Sequence, residues 1–151
     1  MLRDNRIVAA ILLSAPPFYA AGDPKTIGGS IDLPTLHITA TEDDIAIPGY
    51  RCGVIDQLAL CQAMGGGGQP GKTLAVFKGG SHSIFTDRPG NGGIDLNPKV
   101  KAATRDPALA FLTALVADST ADGAADNALQ QWRKAYALLL ANFEVSDFTK
   151  R

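Results

Sequence analysis

Length, composition and charge place this sequence among ordinary globular domains. It has 151 residues, of which 46% are hydrophobic and 19% charged, with a formal net charge of -1 at pH 7. A chain this apolar can bury a core and does not fit an intrinsically disordered protein. The balanced charge excludes the strongly basic surface by which proteins bind nucleic acid or an anionic membrane. We therefore expect one folded domain with no nucleic-acid or membrane partner.

A continuous apolar run over residues 7–13 predicts a buried parallel strand, which ends at Ser14. A basic start and small residues further on also imitate a signal peptide. Asp4 before the run and the prolines at 16 and 17 favour the strand instead. The run is much shorter than the about 20 apolar residues of a transmembrane helix.

Two further segments, residues 35–41 and 73–78, are rich in β-branched and apolar side chains and predict strands. Between them, apolar residues at helical spacing predict a helix over residues 50–64, which ends at a run of glycines. Strands that alternate with helices predict an α/β protein with about three parallel strands.

The C-terminal third predicts two helices, over residues 98–118 and 125–142. Pro107 lies inside the first of them, where we expect a kink or a break. One domain is therefore expected over residues 1–143, followed by a polar tail at 144–151 that frays.

The cysteines, Cys52 and Cys61, do not indicate a metal site or a disulfide framework. Their spacing is not one used by metal ligands. On a shared helix they would lie too far apart to form a disulfide. We interpret both as small buried hydrophobic residues.

Residues 66–73 read GGGQPGKT and match the phosphate-loop pattern G-x-x-x-x-G-K-S/T. Such a loop binds phosphate because it leaves a strand and opens a helix, whose N-terminal N–H groups face the anion. Here the order is reversed, since a predicted helix precedes Gly66 and a predicted strand follows Lys72. A flexible helix-to-strand turn is the favoured interpretation, and a nucleotide-binding module is the alternative.

Titratable side chains follow the second and third predicted strands. Asp43 and Asp44 come after residues 35–41, and His82 comes after residues 73–78. Because the carboxyl ends of parallel strands share one edge of a sheet, these side chains can meet there. A carboxylate that accepts the Nδ1 proton of a histidine leaves Nε2 free as a general base. The pair is also compatible with a surface histidine beside a turn aspartate.

Three segments resemble the C-terminal half of an α/β-hydrolase, in particular the bacterial serine esterases related to dienelactone hydrolase. They begin at Arg6, Leu33 and Leu74 and read RIVAAILLSAPP, LPTLHITATEDD and LAVFKGGSHS. In that family the sixth, seventh and eighth strands are adjacent, the catalytic acid follows the seventh strand and the catalytic histidine follows the eighth. The resemblance covers residues 5–118 and implies that the three predicted strands are these three.

The resemblance also implies roles for individual residues. The family's G-x-x-D after the seventh strand corresponds to A-T-E-D here, with Ala40 in place of glycine, and makes Asp43 the acid, with Asp44 as second choice. The G-G-S-H segment makes His82 the general base and acid. No metal or organic cofactor is implied.

The nucleophile of the family is missing from this sequence. It stands in a G-x-S-x-G elbow between the fifth strand and the next helix, and no such motif occurs here. Ser30 lacks the final glycine and precedes a strand, while Ser14, Ser81 and Ser83 fit turn or loop positions. The resemblance therefore implies part of a carboxylic ester hydrolase that has the acid and the base of a catalytic triad, and we expect it to be inactive by itself.

Two other hypotheses remain beside the hydrolase: the nucleotide-binding module, and a non-catalytic protein that pairs its open sheet edge with a partner. In the parent fold the strand at residues 7–13 lies between the seventh and the fifth strands. Without the fifth, its outer edge would be unpaired, and we expect the chain to self-associate there. Whether the chain is a fragment, the product of a misassigned start or a natural truncation stays open.

Overall fold

The computed structural model describes residues 4, 6–15, 23–47, 50–64, 71–86, 93–116 and 124–145. In chain order the elements are β1 (Ala10–Leu13), α1 (Pro24–Gly29), β2 (Thr35–Ala40), β3 (Ile45–Ile47), β4 (Tyr50–Cys52), α2 (Val54–Ala63), β5 (Lys72–Phe77), α3 (Gly93–Val116), α4 (Ala124–Ala135) and β6 (Leu140–Val145). None of the described helices combines the length and the apolar character needed to cross a membrane.

One mixed sheet organises the fold. Its strand order is β1-β2-β5-β6, with β1, β2 and β5 parallel and β6 antiparallel to β5. Strands β3 and β4 form a separate antiparallel pair. The α/β class is thereby confirmed, and the sheet has an antiparallel fourth strand beside three parallel ones. The first predicted strand is shorter and less buried than expected, since β1 covers Ala10–Leu13 of the run at 7–13 and Leu13 is exposed.

Strand β2 is buried over its whole length and presents two chemically different faces. Successive side chains of a strand point to opposite sides. The apolar face, formed by Leu36, Ile38 and Ala40, belongs to the main core of the protein. That core also contains Phe77, Val100, Phe111 and Trp132.

The polar face of β2 is formed by Thr35, His37 and Thr39, and α2 lies against it. On the same side of the sheet, Leu74 and Val76 of β5 pack against Cys61 of α2 in a second, smaller cluster. The hydrocarbon core therefore lies mainly between the sheet and α3 and α4, whereas α2 covers a more polar layer.

The predicted C-terminal helix over residues 125–142 is wrong beyond Ala135. There α4 ends, and after a turn β6 begins at Leu140. The backbone of β6 pairs with β5 and satisfies the hydrogen-bonding groups at what would otherwise be an open edge of β5. The predicted tail at 144–151 is wrong at its start, because β6 continues to Val145, and the rest of it lies outside the described residues.

The predicted helix over residues 50–64 starts too early. Residues Tyr50–Cys52 form β4, and α2 begins only at Val54. Gly53 separates the two elements, and its backbone N–H donates to the Asp56 carboxylate at 2.9 Å. An acceptor in the first turn satisfies an N–H group that helix geometry leaves unpaired, and this fixes where α2 starts.

The helix predicted over residues 98–118 starts earlier than expected, because α3 runs from Gly93 to Val116 and Pro98 lies inside it. The break expected at Pro107 does not occur. A proline inside a helix deprives the carbonyl four residues earlier of its usual donor. That carbonyl belongs to Ala103, and the indole Nε1–H of Trp132 donates to it at 2.6 Å. A side chain from α4 therefore replaces the missing hydrogen bond and allows α3 to continue.

Candidate active site

Asp43 and His82 meet at the carboxyl ends of two adjacent parallel strands. Asp43 follows β2 and His82 follows β5, whose last residues, Ala40 and Phe77, are register partners. The Nδ1 atom of His82 lies 3.0 Å from Oδ1 of Asp43. The parallel pairing of β2 with β5 thus brings together two side chains that are far apart in the sequence.

Backbone hydrogen bonds hold the segments after the two strands against each other. The N–H of Thr41 donates to the carbonyl of Phe77 at 2.9 Å. In return, the N–H of Gly79 donates to the Thr41 hydroxyl at 2.8 Å. Hydrogen bonds therefore join the two segments immediately before Asp43 and His82.

Two glycines turn the chain between β5 and His82. Gly79 and Gly80 have φ values of 70° and 88°, in the left-handed region that side chains other than glycine rarely adopt. A Cβ atom on Gly80 would also overlap the Ile84 side chain, which is fully buried in the core. Backbone shape and close packing both require Gly80, so the G-G-S-H segment positions His82 through its glycines.

Asp43 and His82 differ in how deeply their side chains are buried. Asp43 is fully buried, whereas 39% of the His82 side chain is exposed. A buried carboxylate is costly unless donors surround it. The second oxygen of Asp43, Oδ2, lies 2.9 Å from the Thr39 hydroxyl. One oxygen is thus held from within the protein while the other faces the histidine.

This arrangement suits proton transfer. A carboxylate accepts hydrogen bonds only, so the ring must donate its Nδ1 proton to Asp43. In the neutral ring Nε2 then carries the lone pair and can accept a proton from a nucleophile. The partial exposure of the ring gives a reactant access to it.

The sequence also offers an alternative acid, Asp44, and two nucleophile candidates, Ser81 and Ser83. Asp44 is exposed, and the structure pairs His82 with Asp43. Ser81 and Ser83 are turn residues whose carbonyls accept the N–H groups of Ile84 and Thr86. The structure gives no reason to prefer either serine as a nucleophile.

Ser14 follows β1. Its φ of 50° is positive, which is unusual for a residue other than glycine. Its side chain is buried, and β2 separates β1 from the strand that leads to His82. Two strand spacings correspond to about 10 Å, which is too far for proton transfer between Ser14 and His82. The hydroxyl of Ser30 donates to the Ile27 carbonyl at 2.7 Å, at the end of α1.

The predicted phosphate-loop lysine has a structural role. Lys72 is the first residue of β5, and its ammonium donates to the carbonyls of Gln62 and Met64, at 3.0 and 3.2 Å. A cation at the C-terminal end of α2 complements the negative end of the helix dipole. Thr73 is buried within the strand, and residues 65–70 lie outside the described part of the chain. Lys72 and Thr73 thus favour the helix-to-strand turn.

Sequence reasoning missed three polar side chains near the pair: His37, Thr39 and Gln57. All three are fully buried. Burial lowers the pKa of His37 to about 4, and the negative charge of Asp43 opposes this shift. Neither ring nitrogen of His37 has a hydrogen-bond partner among the residues that the structure describes. The alternation of polar residues with apolar ones over 35–40 is the signal that could have revealed a polar face.

The cysteines lie in different elements, Cys52 in β4 and Cys61, which is buried, in α2. Within the described ranges, no group of histidine, cysteine, aspartate or glutamate side chains is arranged to hold a metal ion. Comparisons of the chain with protein-family models, curated proteins and solved structures found no match. A functional assignment therefore depends on the geometry at the strand ends and on the motifs around it.

Proposed function

We propose that this chain is the C-terminal portion of a serine hydrolase that acts on carboxylic esters. Asp43 is its catalytic acid, and His82 is its general base and acid. The observation that carries the proposal is the 3.0 Å contact between Nδ1 of His82 and Oδ1 of Asp43 at neighbouring strand ends. The order β1-β2-β5 supports it, because the sixth, seventh and eighth strands are adjacent in the family that the sequence resembles.

In the proposed reaction, Nε2 of His82 takes the proton of a serine hydroxyl as the serine oxygen attacks the ester carbonyl. The imidazolium then protonates the leaving alkoxide, and an acyl-serine remains. Water, deprotonated by the same nitrogen, releases the acid and restores the serine. Throughout, Asp43 holds the ring orientation and stabilises its positive charge. The serine belongs to a segment that precedes Met1 in the complete hydrolase.

The test combines the DNA upstream of the Met1 codon with a covalent probe. We expect an in-frame segment that encodes G-x-S-x-G. A fluorophosphonate probe, which phosphonylates activated serines with release of fluoride, should label the protein expressed with that segment. It should fail to label the 151-residue chain. Labelling should be lost in His82→Ala and kept in the neighbouring control Ser83→Ala.

Two results would overturn the proposal. One is the lack of a G-x-S-x-G segment upstream. The other is labelling of the 151-residue chain that depends on His82, which would place a nucleophile within this sequence.

A second candidate function, a protein that pairs its sheet edge with another chain, is favoured by the exposure around β1. Ile7, Val8 and Leu13 are 53%, 71% and 44% exposed. Among the described strands, β1 pairs only with β2, so its outer edge can template association between copies. Sedimentation should show self-association at tens of micromolar that Val8→Lys reduces. A monomer with slow hydrogen exchange across β1 would refute an open edge.

A further inference from the structure

Behind Asp43, on the side away from His82, lies a short chain of buried polar side chains. The Thr39 hydroxyl oxygen is 2.9 Å from Oδ2 of Asp43 and 2.7 Å from the amide oxygen Oε1 of Gln57. Thr39, Asp43 and Gln57 are all fully buried. Both distances are those of hydrogen bonds, and water does not compete for them at this depth.

The single proton of a hydroxyl fixes the direction of these two bonds. Ionised Asp43 can only accept, so Thr39 must donate to Oδ2. Thr39 then has only acceptor capacity left for Gln57, which must present an N–H group to it. The nitrogen and oxygen of a glutamine amide are assigned from the hydrogen bonds they make.

The amide of Gln57 can supply that donor by turning its nitrogen towards Thr39. With the oxygen towards Thr39, the nitrogen is buried without a partner among the described residues. The contact with Thr39 would then be between two acceptors. With the nitrogen towards Thr39, both short contacts become hydrogen bonds, and the cost of an unpartnered buried N–H is reduced.

We propose that Thr39 and Gln57 are positioning residues for the acid–histidine pair. The Gln57 amide donates to Thr39, and Thr39 donates to Oδ2 of Asp43. The plane of the carboxylate is thereby fixed with Oδ1 towards Nδ1 of His82. The histidine proton is consequently held on Nδ1, and Nε2 is left unprotonated. The importance of this for catalysis rests on the proposed hydrolase function, but the effect on the histidine does not.

The test reads the tautomer of His82 by ¹⁵N NMR in the whole chain at a pH where the ring is neutral. In the wild type we expect the proton on Nδ1. Thr39→Val keeps the shape of the side chain and removes the hydroxyl, and Thr39→Ser restores the hydroxyl. The Nδ1 proton should exchange with solvent about tenfold faster in Thr39→Val and at the wild-type rate in Thr39→Ser.

Gln57→Met provides an independent variant that removes the amide without touching Asp43 or Thr39. It should also speed the exchange of the Nδ1 proton, by less than Thr39→Val does. This variant keeps the test available if Thr39→Val does not fold, which its circular dichroism spectrum would reveal. An unchanged tautomer and exchange rate in folded variants at both positions would overturn the proposal. An effect at Thr39 without one at Gln57 would overturn the direction assigned to the amide.

The NMR result also separates this proposal from the hydrolase proposal. Faster exchange of the His82 Nδ1 proton in these variants would support the positioning role even if no serine nucleophile exists upstream. In the protein expressed with an upstream nucleophile, Thr39→Val should lower kcat and leave KM unchanged. Wild-type kcat in that variant would contradict the positioning role.

Discussion

The two faces of β2 are buried to the same extent but have opposite chemistry. Leu36, Ile38 and Ala40 face a hydrocarbon core, and Thr35, His37 and Thr39 face α2. Burial of polar groups normally lowers stability unless they are hydrogen-bonded. The apolar face therefore stabilises the sheet, whereas the burial of the polar face lowers the stability of the fold. Departures of this kind are expected near functional sites, and the polar face leads directly to Asp43.

The hydrogen bonding of the polar face differs between the two ends of β2. At its C-terminal end, the Thr39 hydroxyl is hydrogen-bonded to Oδ2 of Asp43. Nearer its start, the Thr35 hydroxyl and the His37 ring have no hydrogen-bond partners among the described residues. Among the residues that the structure describes, the buried polar atoms of this face are therefore hydrogen-bonded at the end of the strand next to the candidate site.

The largest effect should come from the main core, into which the apolar face of β2 packs. Phe77→Ala removes a fully buried side chain from the main core. We expect the free energy of unfolding to fall by about 3–5 kcal/mol, as measured by urea denaturation. The exposed control Val8→Ala should change it by less than about 0.5 kcal/mol. A loss below about 1 kcal/mol for Phe77→Ala would show that this core is not the main source of stability.

On the polar face, His37 should make stability depend on pH. Burial lowers its pKa from 6.5 to about 4, so between these values the unfolded chain binds the proton and the folded chain does not. The free energy of unfolding is therefore unaffected by this group above pH 6.5 and falls as the pH drops towards 4. The loss approaches about 3 kcal/mol, at ~1.36 kcal/mol per pKa unit.

Urea denaturation between pH 7 and pH 4 tests this effect, with the two histidines compared directly. His37→Leu should flatten the pH dependence in this window, and His82→Gln should leave the contribution of His37 in place. If His37→Leu retains the full pH dependence, the burial of a neutral imidazole on the polar face is refuted.

Trp132 tests how α3, which packs on the main core, tolerates Pro107. Trp132→Phe removes the donor to the Ala103 carbonyl, and we expect a loss of about 1–3 kcal/mol in unfolding free energy. Pro107→Ala restores a backbone N–H for the same carbonyl. The cost of Trp132→Phe should therefore be smaller in the Pro107→Ala background. Equal costs in both backgrounds would show that the indole does not compensate for the proline.

We expect the smallest effect from Thr35→Val on the polar face, which is compared with the opposite substitution, Ile38→Thr, on the apolar face. Thr35→Val replaces an unpartnered buried hydroxyl by a methyl group and should stabilise the protein by up to about 1 kcal/mol. Ile38→Thr makes the opposite change on the apolar face and should cost about 1–3 kcal/mol. Thermal melts of both variants measure the contrast. A destabilising Thr35→Val would indicate that this hydroxyl has a partner.

Local pattern in the sequence was sufficient for the central strands and for the approach of Asp43 to His82. The runs at 35–41 and 73–78 differ from β2 and β5 by one residue at each shifted end. Once those strands are parallel neighbours, the segments after them must lie at one edge of the sheet. Strand periodicity and chain order together determine this part of the site.

The rest depends on contacts between residues distant in the sequence. In the sequence, the helical pattern of apolar residues continues from α4 into β6. The pairing with β5 identifies β6 as a strand. The continuity of α3 at Pro107 depends on an indole from another helix. Gln57 reaches Thr39 from α2, so helical periodicity alone gives it no distinct role. Propensity cannot reveal interactions that exist only after the elements have packed.

The most direct test of the central claim is the hydrolysis of a short p-nitrophenyl ester by the purified 151-residue chain. Under the proposed function, the chain contributes an acid and a base but no nucleophile. The wild type and His82→Ala should therefore hydrolyse the ester at the same rate, with no burst of nitrophenol. A saturable rate that depends on His82 and begins with a burst would contradict the account and show that a nucleophile lies within this sequence.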